Sequence, residues 1–192
     1  MITLPKPKVK GSISLEETIA RRRSVREFAD RDITQEEISQ LLWAAQGITD
    51  KTRSLRSVPS AGALYPLEIY LLTKDGLFHY RVDEHALEIL GRRDLRPELA
   101  RAGFNQAMIQ EAAADIVMCA VFERITSKYA ERGASYVYME AGHTAQNIHL
   151  MAVSLGLASV PVGAFDDKSV KAVLGLDNNR KPLYIIPVGA SG

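Results

Sequence analysis

Hydrophobic and polar positions alternate with two distinct periods along this chain, and the switches between them mark its elements. Ser14 and Glu17 have the spacing of a helix N-terminal capping box, and the helix they open runs into Arg21-Arg22-Arg23. Thr34 and Glu37 repeat the signal before a helix with Ile38, Leu41, Leu42 and Ala45 on one face, and Gly47 stands where that helix should stop. Residues 48–64 read as a polar loop. Leu67–Leu72 then alternates like a strand, and Lys74-Asp75-Gly76 turns it into a hairpin with Leu77–Val82. Helical patches are predicted around 84–91 and 97–112, before a buried strand through Ile116–Val121. The longest helix is predicted from about Gly133 to Leu155, stopped by Gly156. It carries Ala134, Val137, Ala141, Ala145, Ile148 and Ala152 on one face and Met139, Gly142 and Val153 elsewhere. A helix apolar or small nearly all round needs cover on every side, which either the centre of a monomer's core or, on one side, a second subunit could supply. A short apolar strand into Pro161-Val162-Gly163-Ala164-Phe165, a helix capped by Asp166 or Asp167, and a strand over Leu183–Val188 complete the pattern.

Composition adds constraints. The 192 residues are 46% hydrophobic and 24% charged, the profile of one globular domain over 1–192, with no internal repeat or linker. Lys+Arg and Asp+Glu number 24 and 23, so no general field exists for nucleic acid or an anionic membrane. A single cysteine, Cys119, excludes a disulfide framework and a cysteine zinc site. The opening residues lack the apolar core of a signal peptide, and no apolar run approaches the roughly 20 residues of a membrane span. A cytoplasmic location is expected.

Against this near-neutral background, Arg21, Arg22, Arg23 and Arg26 fall within six positions around Ser24. Guanidinium forks match phosphate oxygens two bonds at a time, and a serine hydroxyl among them adds a donor. A solvated charged face, with arginines favourable to a helix C-terminus, is the alternative. No Walker loop and no Gly-x-Gly-x-x-Gly is present, so phosphate would be held by side chains. His79, His85, His143 and His149 have no metal-ligand spacing, and no serine nucleophile motif occurs. If the chain is an enzyme, a bound cofactor is therefore expected to carry its chemistry.

Ser14 through Phe28, the segment Pro59-Ser60-Ala61-Gly62-Ala63-Leu64-Tyr65-Pro66-Leu67-Glu68, and Pro161-Val162-Gly163-Ala164-Phe165-Asp166 followed by Val173-Leu174-Gly175-Leu176 resemble, in order and spacing, the flavin-dependent nitroreductase family. Within it the chain looks most like short members related to the thiazole/oxazole-forming (SagB-type) dehydrogenases of peptide maturation. The resemblance implies an α+β fold with a mixed central sheet flanked by helices, a homodimer with the long helix at its interface, and FMN at that interface. It assigns Arg22, Arg23, Ser24 and Arg26 to the FMN phosphate and ribityl chain, with Arg21 less firmly. Pro59, Ser60, Ala61, Gly62 and Leu64 are assigned to a loop that packs along the flavin of the other subunit. Gln106, with Asn105 as an alternative, would meet the pyrimidine edge of the ring. Pro161, Val162, Gly163 and Ala164 would present backbone amides to N5 and O4. The implied activity is reduction of the flavin by NADH or NADPH, then of a nitroaromatic, quinone or related oxidant by the flavin. An azoline dehydrogenase served by partner proteins and a flavin-binding sensor without turnover are the rival readings.

The departures carry information too. Ala63 and Tyr65 replace an asparagine and a glutamine of many relatives, which makes Tyr65 a candidate to line the substrate pocket. Gly163 replaces a glutamate, leaving only backbone donors beside the ring. The last residues lack a basic group that longer relatives aim at the phosphate, and residues 48–58 are candidates to cover the flavin face.

Overall fold

A computed structural model describes Met1–Gly192. Its framework is a seven-stranded sheet built from β1 (Ile2–Thr3), β4 (Leu67–Thr73), β5 (Gly76–Arg81), β6 (Ala86–Gly91), β7 (Ala114–Val121), β8 (Leu157–Ser159) and β9 (Arg180–Ala190). The spatial order is β1-β6-β5-β4-β7-β9-β8, and a hairpin of β2 (Ile48–Asp50) and β3 (Leu55–Arg56) stands outside it. Every ladder of the large sheet is antiparallel. The expected mixed character is thus reduced to one isolated parallel bridge, Ser24 to Ser159.

Both faces of the central strands are covered, which is why their sequences read as nearly continuous apolar runs. Leu67, Ile69 and Leu71 of β4 with Ile116 and Met118 of β7 point to one core, and Tyr70, Leu72, Val117 and Cys119 point to the other. The first core is closed by α2 (Gln35–Gln46) and α6 (Arg132–Ser154), the second by α3 (Arg96–Ala102), α4 (Ala107–Glu111) and α7 (Asp167–Leu174). Two further helices, α1 (Leu15–Arg21) and α5 (Glu123–Tyr129), flank α6. Thr34 and Glu37 form the reciprocal capping box of α2, and Asp166 rather than Asp167 caps α7.

Two sequence expectations are corrected here. Residues 84–91 form a turn and strand β6, not a helix. Leu87 and Ile89 both face the first core with period 2, and a turn with His85 at φ 46° leads straight back from β5. The helical stretch 97–112 is broken between α3 and α4, where Phe104 and Asn105 take φ of 58° and 57°. A Cβ on Gly103 would lie 2.4 Å from Ile109, so the break is packed in place. Within one chain, α6 is covered on one side and open on the other. Val137, Ala141, Ala145, Ile148 and Ala152 are buried in its own core, whereas Tyr138 and Met139 are half exposed and Gly142, His143 and Gln146 face outward. No helix is long and apolar enough to cross a membrane.

Candidate functional site

The arginine turn is docked by backbone and left open by side chain. Ser14 caps α1 by accepting from the Glu17 amide, and the Arg22 N–H closes its last turn on Thr18 O. The chain then runs extended along the β8–β9 edge, with Val25 N–H donating to Ser159 O at 3.1 Å and Ala29 N–H to Ala190 O at 3.0 Å. Arg21 pairs with Glu17, and Arg23 donates only to the backbone oxygens of Ala20 and Arg22. Arg22, Arg23 and Arg26 therefore have no acidic partner, an arrangement that suits an anion. Beneath them His149 is buried, its Nδ1 2.9 Å from Ser159 Oγ. Burial, then the charge of Arg22, lowers its pKa to about 4, so the imidazole is neutral and adds no charge to the turn.

From Ser159 the backbone leads directly to Pro161–Ala164. Val162 spends its N–H and C=O on Ile185, at 2.7 and 3.0 Å, so donors for a ligand here are the exposed amides of Gly163 and Ala164, which have no acceptor. A Cβ on Gly163 would meet only the Tyr184 ring, at 3.7 Å. Packing within the chain does not require that glycine; close approach of a flat group would. Gln106 is brought to the same place: its Nε2 donates to Gly103 O at 2.8 Å and Ala164 O at 2.9 Å, which leaves Oε1 for other use. Asn105 is exposed beside it.

The fourth predicted segment is held differently. Gly62, Ala63 and Tyr65 all have positive φ, at 63°, 54° and 45°. Ser60 Oγ accepts the Tyr65 amide at 2.9 Å, and a Cβ on Gly62 would fall 2.8 Å from the Tyr129 hydroxyl. The Tyr65 hydroxyl accepts the Arg56 amide at 3.1 Å. Arg56 in turn reaches Gln46 Oε1 at 3.0 Å, and the Gln46 amide donates to Glu140 and Thr144 of α6. Glu140 is buried, Oε2 lacks a partner, and burial raises its pKa. Tyr65 lines a cavity of about 350 Å³ together with Glu68, His79 and Arg124. Burial opposes ionisation of Glu68, but His79 at 2.7 Å and Arg124 prevail and hold its carboxyl at about 2.

Three of the four predicted segments are thus brought together in one protomer: the arginine turn, Pro161–Ala164 and Gln106. Pro59–Gly62 and Leu64 are not joined to them. That loop leans on Tyr129 and, through Gln46, on Glu140 and Thr144, whereas the arginine turn lies over His149 near the other end of α6. Nine residues separate Glu140 from His149, about 13 Å along a helix. Residues 48–58 are occupied by the β2–β3 hairpin, tied down by Ser57 and by Asn147. The Gln46–Glu140–Thr144 and His149–Ser159 groups were missed by sequence reading. Their available signal was polar side chains on the apolar faces of α2 and α6.

The sequence profile described as "Nitroreductase family" matches residues 19–190. MJ1384 of Methanocaldococcus jannaschii, a nitroreductase by name, is 42% identical over 92% of this chain and 91% of its own length. The microcin B17-processing protein McbC of Escherichia coli is 29% identical over 83% of this chain, and the NADPH-flavin oxidoreductase of Vibrio harveyi is 26% identical over 90%. This chain spans only 63% and 64% of those two proteins. A crystal structure from Ralstonia eutropha JMP134, also a nitroreductase by name, superposes over 100% of this chain and 89% of its own, with a TM-score of 0.90 and 27% identity.

Proposed function

The chain belongs to the nitroreductase family, and from that premise we propose that it is an FMN-dependent oxidoreductase that takes electrons from NADH or NADPH and delivers them, in a ping-pong cycle, to nitroaromatic, quinone or related small oxidants. The observation that carries the proposal is the set of guanidinium groups of Arg22, Arg23 and Arg26, which lack acidic partners on a turn that the backbone joins to the unengaged amides of Gly163 and Ala164. The residues fit the cofactor at both ends. Arg22, Arg23, Ser24 and Arg26 would hold the phosphate and ribityl end. The Gly163 and Ala164 amides and one of Gln106 or Asn105 would meet the ring, where the bare Gly163 leaves room. Bound FMN would supply hydride acceptance and donation. The protein's own part is to orient the ring, aim donors where negative charge develops and keep water out.

The proposal extends to a homodimer in the cytoplasm with two shared sites. The arginine turn and Pro59–Leu64 lie toward opposite ends of α6, so an antiparallel crossing of two copies of α6 near Gly142–Gln146 would carry the loop of one copy to the turn of the other. Gly142 supports that crossing: a Cβ there would touch nothing within its own chain, and Tyr138 and Met139 stand exposed beside it. The likeness to McbC favours a second reading, oxidation of a peptide heterocycle, in which partner proteins would deliver the peptide.

Titration with FMN followed by stopped-flow mixing with NADH and with NADPH tests these readings. Stoichiometric FMN binding and bleaching of its visible band by a nicotinamide is the expected result. A chain that takes up no FMN removes the proposal, and a flavin that dithionite bleaches but neither nicotinamide does leaves the peptide reading or a flavin-binding module without turnover.

A further inference from the structure

Arg56 is held unlike Arg96 and Arg124. Arg96 is tied to Asp94 at 2.7 Å and Arg124 to Glu68, but no carboxylate lies within ion-pair reach of Arg56. Burial lowers its pKa, and the more distant charges of Asp83, Glu140 and Glu68 offset that only in part. Neutral groups fix it instead. Its guanidinium sits 4.4 Å over the Tyr65 ring, and Nη1 donates to Gln46 Oε1 at 3.0 Å. Gln46 cannot turn round, because its Nε2 donates to Thr144 Oγ1 at 3.2 Å and Glu140 Oε1 at 3.3 Å, both buried on α6. Its amide oxygen must therefore face Arg56. A guanidinium locked in place with most of its donors unused is prepared for an anion.

In front of it lies the cavity of about 350 Å³ that Tyr65 lines. Its other charges are largely answered: Arg124 donates to Glu68 and to Tyr65 O, and Glu68 also receives His79. Two groups remain without an ion-pair partner: Arg56, and the exposed pair Asp83 and Glu84 on the turn between β5 and β6. Asp83 is the carboxylate whose charge acts most strongly on Arg56, yet the two do not close into an ion pair. Opposite charges that face one cavity without meeting suit a molecule that carries both. We infer that this cavity binds a small zwitterion, its carboxylate on Arg56 and its ammonium toward Asp83 and Glu84. A dianion would be repelled by the acidic rim and a plain cation by Arg56. The site is complete within one protomer and does not depend on the flavin reading.

A free amino acid and a short peptide share this chemistry. Isothermal titration of the full chain, with and without FMN, can use glycine, 4-aminobutyrate and glycylglycine as zwitterions, propionate as carboxylate alone and propylamine as ammonium alone. At least one zwitterion is expected to bind about tenfold more tightly than either single-charge probe. Preference for glycine or 4-aminobutyrate points to a free amino acid, and preference for glycylglycine to a peptide. Arg56→Gln should abolish binding, and Asp83→Asn with Glu84→Gln should reduce the zwitterion to the affinity of propionate. Absence of heat with every probe, equal binding of propionate, or unchanged binding by Arg56→Gln overturns the inference. If Arg56→Gln does not fold, the exposed double variant decides, and wild-type affinity in it is fatal to the assignment. Zwitterion binding by a chain that takes up no FMN would leave this site standing and remove only the flavin reading.

Discussion

The arginine turn and the loop around Tyr65, the two halves of the site in the proposed dimer, are built on opposite principles. The turn is a nearly regular extended segment, pinned by two backbone hydrogen bonds, whose charges are unspent. The loop spends its polar groups on itself and on Arg56, which Gln46 links to α6, and it holds three positive φ angles within four residues. One half is made to receive charge, and the other to present a fixed backbone surface. The difference predicts that variants in the turn change affinity with little change in stability, and variants in the loop do the reverse.

The sharpest way to break the comparison is to separate the halves. Gly142→Glu places a charge on the exposed face of α6 without disturbing its own core, where a Cβ meets nothing. If the two halves belong to different copies, this variant should become a folded monomer, by light scattering, that has lost nearly all FMN affinity. A monomer that keeps its flavin would show that each protomer holds a whole site. The next largest effect is Arg22→Ala or Arg26→Ala, each expected to weaken FMN binding by about 2 kcal/mol, the cost of removing a charged hydrogen-bond partner. Both leave the melting temperature close to wild type, since neither guanidinium pairs within the chain. Fluorescence titration beside a thermal melt reads both quantities.

Gly62→Ala addresses the loop. A side chain at φ 63° is strained, and its Cβ would press on the Tyr129 hydroxyl. A loss of about 1 to 2 kcal/mol in unfolding free energy is expected from the backbone alone. A denaturant melt that shows no loss would mean that the loop relaxes freely and presents no fixed surface.

What the sequence made legible follows the same division. Charge is written in residue type, so Arg21–Arg26 stood out at once, and capping at Ser14, Thr34 and one of Asp166 or Asp167 was readable because each signal is local. The hairpin at Lys74-Asp75-Gly76 was readable for that reason too. Residues 84–91 were misread because Leu87 and Ile89 are too few to separate period 2 from period 3.6, and pairing with β5 decided the matter. The outward face of α6 was hidden because small residues fill both sides of that helix. Gln46, Glu140 and Thr144 could not be joined from sequence, since 94 and 98 positions separate Gln46 from its two acceptors.

The two halves also rest on buried groups that titrate in opposite senses, and this gives the smallest and most specific prediction. His149, under the turn, has its pKa pushed by burial from 6.5 to about 4. The unfolded chain binds that proton more readily, so its contribution is complete above pH 6.5 and is lost as the pH falls toward 4. At about pH 6 the loss is roughly 0.8 kcal/mol. Glu140, near the loop, is also shifted by burial, but upward from 4.5, so the unfolded chain gives up that proton more readily. Its contribution is complete below pH 4.5 and declines as the pH rises through its folded value. His149→Gln should therefore remove a rise in unfolding free energy between pH 4 and 6.5, and Glu140→Gln a fall that begins near pH 4.5. If both variants keep the wild-type slope on both sides, burial of these two groups is not what couples the halves of the site to pH.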